Sequence, residues 1–163
     1  MVTAVAVASR VADPELPMLT LADLGILRAV DESGDGVVVT ITPTYSGCPA
    51  MRTIQDDLTE ALHEAGYARV EVRTVLTPAW TTDWITAAGR DKLAAAGISP
   101  PGAAPRRAAG PIPLTLAPSR RAIACPQCGN PDTEEIAAFS ATACRSLHRC
   151  PVCREPFEHV KEI

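Results

Sequence analysis

Two copies of one four-residue pattern stand near the end of this 163-residue chain, Cys125-Pro126-Gln127-Cys128 and Cys150-Pro151-Val152-Cys153, with 21 residues between them. A tetrahedral metal site needs four soft ligands converging on one point, and each Cys-x-x-Cys turn supplies two of them. The gap slightly exceeds the usual range for doubled knuckles, which a three-stranded ribbon absorbs. Glu134–Ala138, Leu147–Arg149 and Phe157–Val160 offer three short runs for that ribbon, and Gly129 and Arg154 continue the two tight turns. So short a segment cannot bury an adequate core, and a bound metal supplies the missing folding energy. The prediction is a ribbon over residues 122–163 holding a structural Zn2+ on Cys125, Cys128, Cys150 and Cys153, with no open position for catalysis. Cys144 and His148 lie between the knuckles, and either could replace one ligand. The doubled symmetry makes four cysteines the simplest set and leaves Cys144 as a surplus thiol.

Upstream, the character of the chain is different. Up to Gly97 there are 13 acidic and 7 basic residues; from Ile98 onward there are 6 and 8, which together give the net charge of −4. That uneven charge divides the chain near Gly97. Residues 1–97 read as helix (Thr3–Ala12), hairpin (Ile26–Asp31 and Val37–Thr42 around Glu32–Gly36), helix (Pro49–Ala65) and strand (Ala68–Leu76). Further short helices are expected from Thr81 or Thr82 through Ala88 and over Asp91–Ala96. Leu19–Gly25 reads as a single helical turn closed by glycine. This is an α+β domain, a small three-stranded sheet with helices packed against it. Trp80 and Trp84 are expected in its core, one indole half exposed. Residues 98–121 carry prolines at 100, 101, 105, 111, 113 and 118 and are expected to be an extended linker, apart from a short extended Leu114–Leu116. The pairs Arg106-Arg107 and Arg120-Arg121 are read as solvated linker charge.

The chemistry of the first domain concentrates in the loop Thr42–Ala50, between a β-branched strand and an amphipathic helix. Pro49 suits a first helical position, which puts Cys48 at or near the N-cap. There the helix dipole and unpaired N–H groups would lower the thiol's pKa and favour the thiolate, both nucleophile and metal ligand. The alternative is a cysteine packed as a small hydrophobe. Asp13-Pro14-Glu15-Leu16-Pro17 places two carboxylates in a stiff, proline-flanked loop.

Composition excludes several functions. The acidic balance, the scarcity of lysine and the absence of an aromatic-basic patch argue against nucleic acid as a partner. No apolar run reaches the length of a membrane span. Val2–Val7 lacks the basic flank of a signal peptide, so the six cysteines are expected to be reduced and the protein cytoplasmic. No histidine stands near Cys48 in sequence to serve as a catalytic base, which disfavours a thiol-dependent enzyme. His63 and His159 are expected to play no part.

Asp13–Pro17, Leu24-Gly25-Ile26 and Thr42–Ala50 resemble the small domain of SufT-type iron–sulfur assembly factors. With Pro78–Ile85 and the ribbon Cys125–Phe157 added, nearly the whole chain outside the linker resembles the PaaD family, accessory subunits of bacterial phenylacetyl-CoA 1,2-epoxidase. The resemblance implies an α+β domain followed by a zinc ribbon, acting in aerobic phenylacetate breakdown. The implied role is maturation or maintenance of metal centres in the oxygenase and reductase subunits, rather than epoxidation itself; a purely structural or regulatory subunit is the other reading. It also implies that Cys48 is the functional thiol, a ligand for a transient iron ion or iron–sulfur cluster. Asp13, Glu15, Thr44 and Ser46 are expected around it. One thiol cannot hold a cluster stably, so a second chain or a homodimer would complete the coordination.

Overall fold

The computed structural model describes residues 2–34, 36–105 and 122–163. Its element order is α1 (Ala4–Ala8), β1 (Leu27–Ser33), β2 (Gly36–Ile41), α2 (Met51–Glu64), β3 (Arg69–Thr74), a 3-10 turn (Thr82–Trp84), α3 (Ala87–Ala95), β4 (Glu134–Ala137), β5 (Arg145–Arg149) and β6 (Pro156–Val160). The first sheet runs β1-β2-β3, with β1 antiparallel and β3 parallel to β2. Helix α2 is the crossover that the parallel pair requires. Val37, Val39 and Ile41 alternate inward from β2, and Ile54, Leu58 and Leu62 form the i, i+4 stripe of α2 that covers them.

Local competition shifts several expected boundaries. Helix α1 stops at Ala8, short of Ala12, because the chain is drawn into extended pairing: Leu21 N donates to Val11 O at 2.9 Å, and Ala12 bridges Thr20. The hairpin is tighter than expected, since Ser33 pairs directly with Gly36. In place of two short helices after Thr81, the chain makes the 3-10 turn, extends at Ile85 and starts a single helix capped by Thr86, whose hydroxyl accepts from Gly89 N at 3.0 Å. Gly89 does not break that helix. It lies where a Cβ would stand 2.9 Å from Asp23 O, so the position needs a residue without a side chain.

Trp80 is buried, and its indole N–H donates to Leu24 O at 2.9 Å. Trp84 is half-buried beneath the guanidinium of Arg28, which lies 3.6 Å from the ring centroid. Arg28 is the extra residue of a bulge: Leu27 pairs with Ile41 and Ala29 with Thr40. Such a bulge re-aims a side chain. Gly25 joins these features. It has φ +68°, and a Cβ there would lie 2.7 Å from Trp84 O and 2.6 Å from Trp84 Cβ. Gly25→Ala therefore imposes both backbone strain and a clash that no rotamer relieves. A destabilisation of roughly 2–4 kcal/mol is expected by denaturant titration; a change under 0.5 kcal/mol, the level of an ordinary surface substitution, would contradict this packing.

The second sheet, β4-β5-β6, is antiparallel throughout and forms the ribbon. Of the expected linker, residues 98–105 are described; Leu114–Leu116 and both arginine pairs lie outside the described residues. Ile98 is buried in the core of the first domain, and Ser99 bridges to the last strand: Ser99 N donates to Glu158 O at 2.8 Å and Val160 N to Ser99 O at 3.1 Å. Val160 enters the first domain's core. The C-terminus is anchored beside it, where Thr82 N and the Thr81 hydroxyl donate to Ile163 O at 3.1 and 2.9 Å. His159, expected to be a bystander near the terminus, is buried at this seam, with Nδ1 3.2 Å from Ser99 O. The ribbon is thus docked on the first domain.

Candidate metal centre and thiol pocket

The two knuckles have the same backbone geometry. Gly129 N donates to Cys125 O and Arg154 N to Cys150 O, both at 2.9 Å; Cys125 N donates to Asn130 O at 2.9 Å and Cys150 N to Glu155 O at 3.0 Å. Both loops close through a left-handed residue, Gly129 at φ +73° and Arg154 at φ +66°. The four sulfurs lie within 4.8 Å of one another, with Cys125–Cys153 at 3.7 Å and Cys128–Cys150 at 3.5 Å. A tetrahedron with metal–sulfur bonds of about 2.3 Å has sulfur–sulfur edges of about 3.8 Å. The residues fit a four-coordinate metal ion, which Cys125, Cys128, Cys150 and Cys153 would hold.

Electrostatics agrees. Burial opposes ionisation of Cys150, but the N–H groups of Cys153 and Val152 and the neighbouring thiols outweigh it and bring the pKa down to about 6. The Glu155 N–H favours the Cys153 thiolate, yet burial and the adjacent sulfurs push that group up to about 12. Four sulfurs so close cannot all ionise unaided, and a cation takes the place of their protons. His148 stands apart, with Nε2 2.9 Å from the Ser146 hydroxyl and its ring stacked on Phe157. Cys144 also lies outside this group, its Sγ 3.1 Å from the Thr142 hydroxyl.

Cys48 sits in a different setting from the one its sequence suggests. Helix α2 begins at Met51 with Ala50 as N-cap, and Cys48 belongs to the preceding turn, its N–H donating to Tyr45 O at 3.2 Å. The N-cap placement is therefore displaced by two residues. The thiol's pKa is raised rather than lowered. Burial is the largest cause, Glu15, Cys144 and Asp13 add to it, and only the Ala50 N–H opposes them. Dry surroundings and neighbouring acidic groups outweigh the helix end.

Cys48 lines a small cavity of about 40 Å³ where the two domains meet. Asp13, Glu15 and Thr44 line it too, as the sequence suggested; Ser46 is exposed and does not. Tyr45, Trp80, Cys144, Arg145 and Val160 contribute further walls. Asp13 is buried and occupied, its Oδ1 accepting from Glu15 N at 2.9 Å and Leu16 N at 2.8 Å, so it shapes the loop. Glu15 remains partly open, 3.9 Å from the Arg145 guanidinium. Among the described residues no histidine lines this cavity, and its volume is far below the ~300 Å³ at which sites for organic ligands begin. The sequence missed Cys144 and Arg145 here. The one available signal was the odd thiol left over from the doubled motif.

The family "Iron-sulfur cluster assembly protein" matches residues 4–75, and the family "PaaD zinc beta ribbon domain" matches residues 110–161. The chain is 44% identical over 158 residues to a subunit of the Escherichia coli (strain K12) "Putative 1,2-phenylacetyl-CoA epoxidase", covering 97% of this chain and 90% of that protein. Over 76 residues it is 37% identical to the "Fe-S protein maturation auxiliary factor YitW" of Bacillus subtilis (strain 168), covering 45% of this chain and 74% of the relative. A crystal structure of a domain of unknown function, DUF59, from Bacillus anthracis superposes with a TM-score of 0.51 at 27% identity, covering 55% of this chain and 87% of that one. The order of the two domains, the four converging sulfurs and the near full-length similarity to the Escherichia coli protein lead to one assignment: the chain belongs to the PaaD family.

Proposed function

We propose that this protein is an accessory subunit of a phenylacetyl-CoA epoxidase system in aerobic phenylacetate catabolism, and that it assists maturation or maintenance of iron or iron–sulfur centres in the partner oxygenase and reductase through Cys48. The observation that carries this reading is the 44% identity to the Escherichia coli relative over nearly the full length, with Cys48 inside the segment that matches the iron–sulfur assembly family. The ribbon's metal is assigned as Zn2+, held by Cys125, Cys128, Cys150 and Cys153 as a structural ion. The doubled Cys-x-x-Cys pattern, which suits a metal rather than disulfides, fits a cytoplasmic protein, and among the described residues no helix is long and apolar enough to cross a membrane.

The chain's own part in the chemistry follows from its surroundings. At neutral pH Cys48 is a neutral thiol in a small, mainly apolar cavity. A thiophilic cation arriving there displaces the proton, and binding is coupled to proton release. That coupling makes any binding at Cys48 pH-dependent, stronger as the pH rises. The docking of the ribbon supports a second reading, a structural subunit that presents a rigid surface to the complex. The discriminating experiment produces the partner oxygenase with and without this chain and measures bound iron and turnover. Iron-poor, inactive oxygenase in its absence is expected. A fully metallated but sluggish oxygenase, restored by mixing with the purified chain, would replace the maturation reading with the structural one.

A further inference from the structure

A sheet edge is a template for further pairing, and proteins protect such edges with bulges, short strands or a covering segment. Among the described residues the two sheets have four edges, and three are protected in these ways. Strand β1 is bulged at Arg28 and has α1 against it, where Ala4 N donates to Glu32 Oε1 at 2.7 Å. Strand β4 is four residues long and irregular between Glu135 and Ala137, and Ser99 pairs with β6. Strand β3 differs. It runs in unbroken parallel register with β2, from Arg69 on Gly36 to Thr74 on Ile41, and among the described residues no strand pairs with its outer side. Val70, Val72 and Thr74 share the face toward α2, where Gln55 Nε2 donates to the Thr74 hydroxyl at 3.1 Å. Both valines are only partly buried, and Leu76, just beyond the strand, is 58% exposed.

On the opposite face Glu71 and Arg73 are both exposed, with Arg73 Nε and Nη2 donating to the Glu71 carboxylate at 2.7 and 3.0 Å. Two such strands set edge to edge, antiparallel about a two-fold axis at Val72, place each Glu71 opposite Arg73 of the second copy. Val72 then meets Val72, Val70 meets Thr74, and exposed Leu76 falls opposite Ala68. An axis at Glu71 would instead oppose Glu71 to Glu71 and Arg69 to Arg73, like charge against like. An axis at Val70 would run the pairing into the turn at Gly66, whose φ is +98°. We propose that the outer edge of β3 binds a second copy of this chain, antiparallel about Val72, joining the two three-stranded sheets into one. The pairing uses no residue of the Cys48 cavity. The Cys48 loop follows β2 at the end where Ile41 lies beside Thr74. Antiparallel pairing carries those ends apart, so the two Cys48 cavities stand at opposite ends of the joint sheet and act separately.

The test uses full-length protein, reduced and with its ribbon loaded with zinc, in sedimentation equilibrium at chain concentrations up to about 1 mM, the range of weak association. A reversible monomer–dimer equilibrium is expected. In Arg73→Glu the dissociation constant should rise at least about tenfold, because symmetry turns two attractive cross-strand pairs into two repulsive ones. Adding Glu71→Arg to that variant restores opposite charges across the axis and should restore the dimer. Both positions are exposed, and unchanged hydrogen exchange in β2 will show that the variants keep the fold. Amides of β3 should exchange more slowly as the chain is concentrated. A parent that stays monomeric throughout would overturn the proposal. So would a dimer indifferent to Arg73→Glu, a double variant as weak as the single one, or β3 amides whose exchange does not slow on dimerisation.

Discussion

Cys48→Ala is expected to leave the protein folded and to reduce its support of the oxygenase to the level found when the chain is omitted. The structural cost is small because the sulfur is half-buried at the edge of the core. Deleting it removes about 1 kcal/mol of burial, well inside the ~5–15 kcal/mol by which domains are stable. The functional cost is complete in this mechanism, since alanine offers no donor atom. Reactivity provides a second check. Because burial, Glu15, Cys144 and Asp13 raise the pKa, the neutral thiol persists to higher pH than in an exposed cysteine. Alkylation of Cys48 by iodoacetamide should be slow at pH 7 and should keep accelerating beyond the pH at which an ordinary thiol levels off. A rate already at its plateau at pH 7 would mean that the helix terminus controls this thiol after all. A Cys48→Ala protein that restores iron and turnover in full would remove the cysteine from the mechanism.

The contrast between the two cysteine groups shows what could be read from the sequence. The ribbon site was legible because its ligands come in two local turns of fixed geometry, and sulfur chemistry dictates that the turns meet. Helix α2 and strands β2 and β3 were legible for a related reason, their apolar positions repeating at the period of the element that buries them. The pocket was only half legible. Cys48, Glu15 and Thr44 come from motifs of the first domain, whereas Cys144 and Arg145 arrive through docking of the ribbon. That docking depends on Ser99 pairing with β6 and on the Ile163 carbonyl meeting Thr81 and Thr82, contacts between residues far apart in the chain. Proline content pointed to a linker from residue 98, but composition cannot show that Ile98 and Ser99 pack before it begins. The thiol's pKa failed for an energetic reason. The sequence displays a helix end, while the burial that outweighs it exists only in the folded chain.

Stripping the ribbon's metal with a strong chelator, or replacing Cys150 by serine, is expected to unfold β4–β6 while α2 and β2 stay folded. Among the described residues, the ribbon's own apolar cluster consists of Cys125, Cys150 and Phe157, with Ile123 against it. Structural zinc contributes roughly 10–16 kcal/mol in comparable small domains, far more than this cluster supplies. The first domain keeps its own core of Leu19, Leu21, Ile41, Ile54, Leu58, Leu62 and Leu93. It loses Val160, the Ser99 pairing and the contact of Arg145 with Glu15. Hydrogen exchange should therefore show β5 and β6 losing protection and the seam loosening, with protection retained in α2 and β2. Loss of the ribbon also removes one wall of the Cys48 cavity, so Cys48 should be alkylated faster in the stripped protein although no bond to it has been touched. Unchanged protection in β5 and β6 after complete metal removal would show that the ribbon folds without the ion. An unchanged Cys48 rate with the ribbon unfolded would show that the cavity belongs to the first domain alone. If both changes occur together, metal in the ribbon governs access to the thiol, and the two cysteine groups act as one device through the seam that joins them.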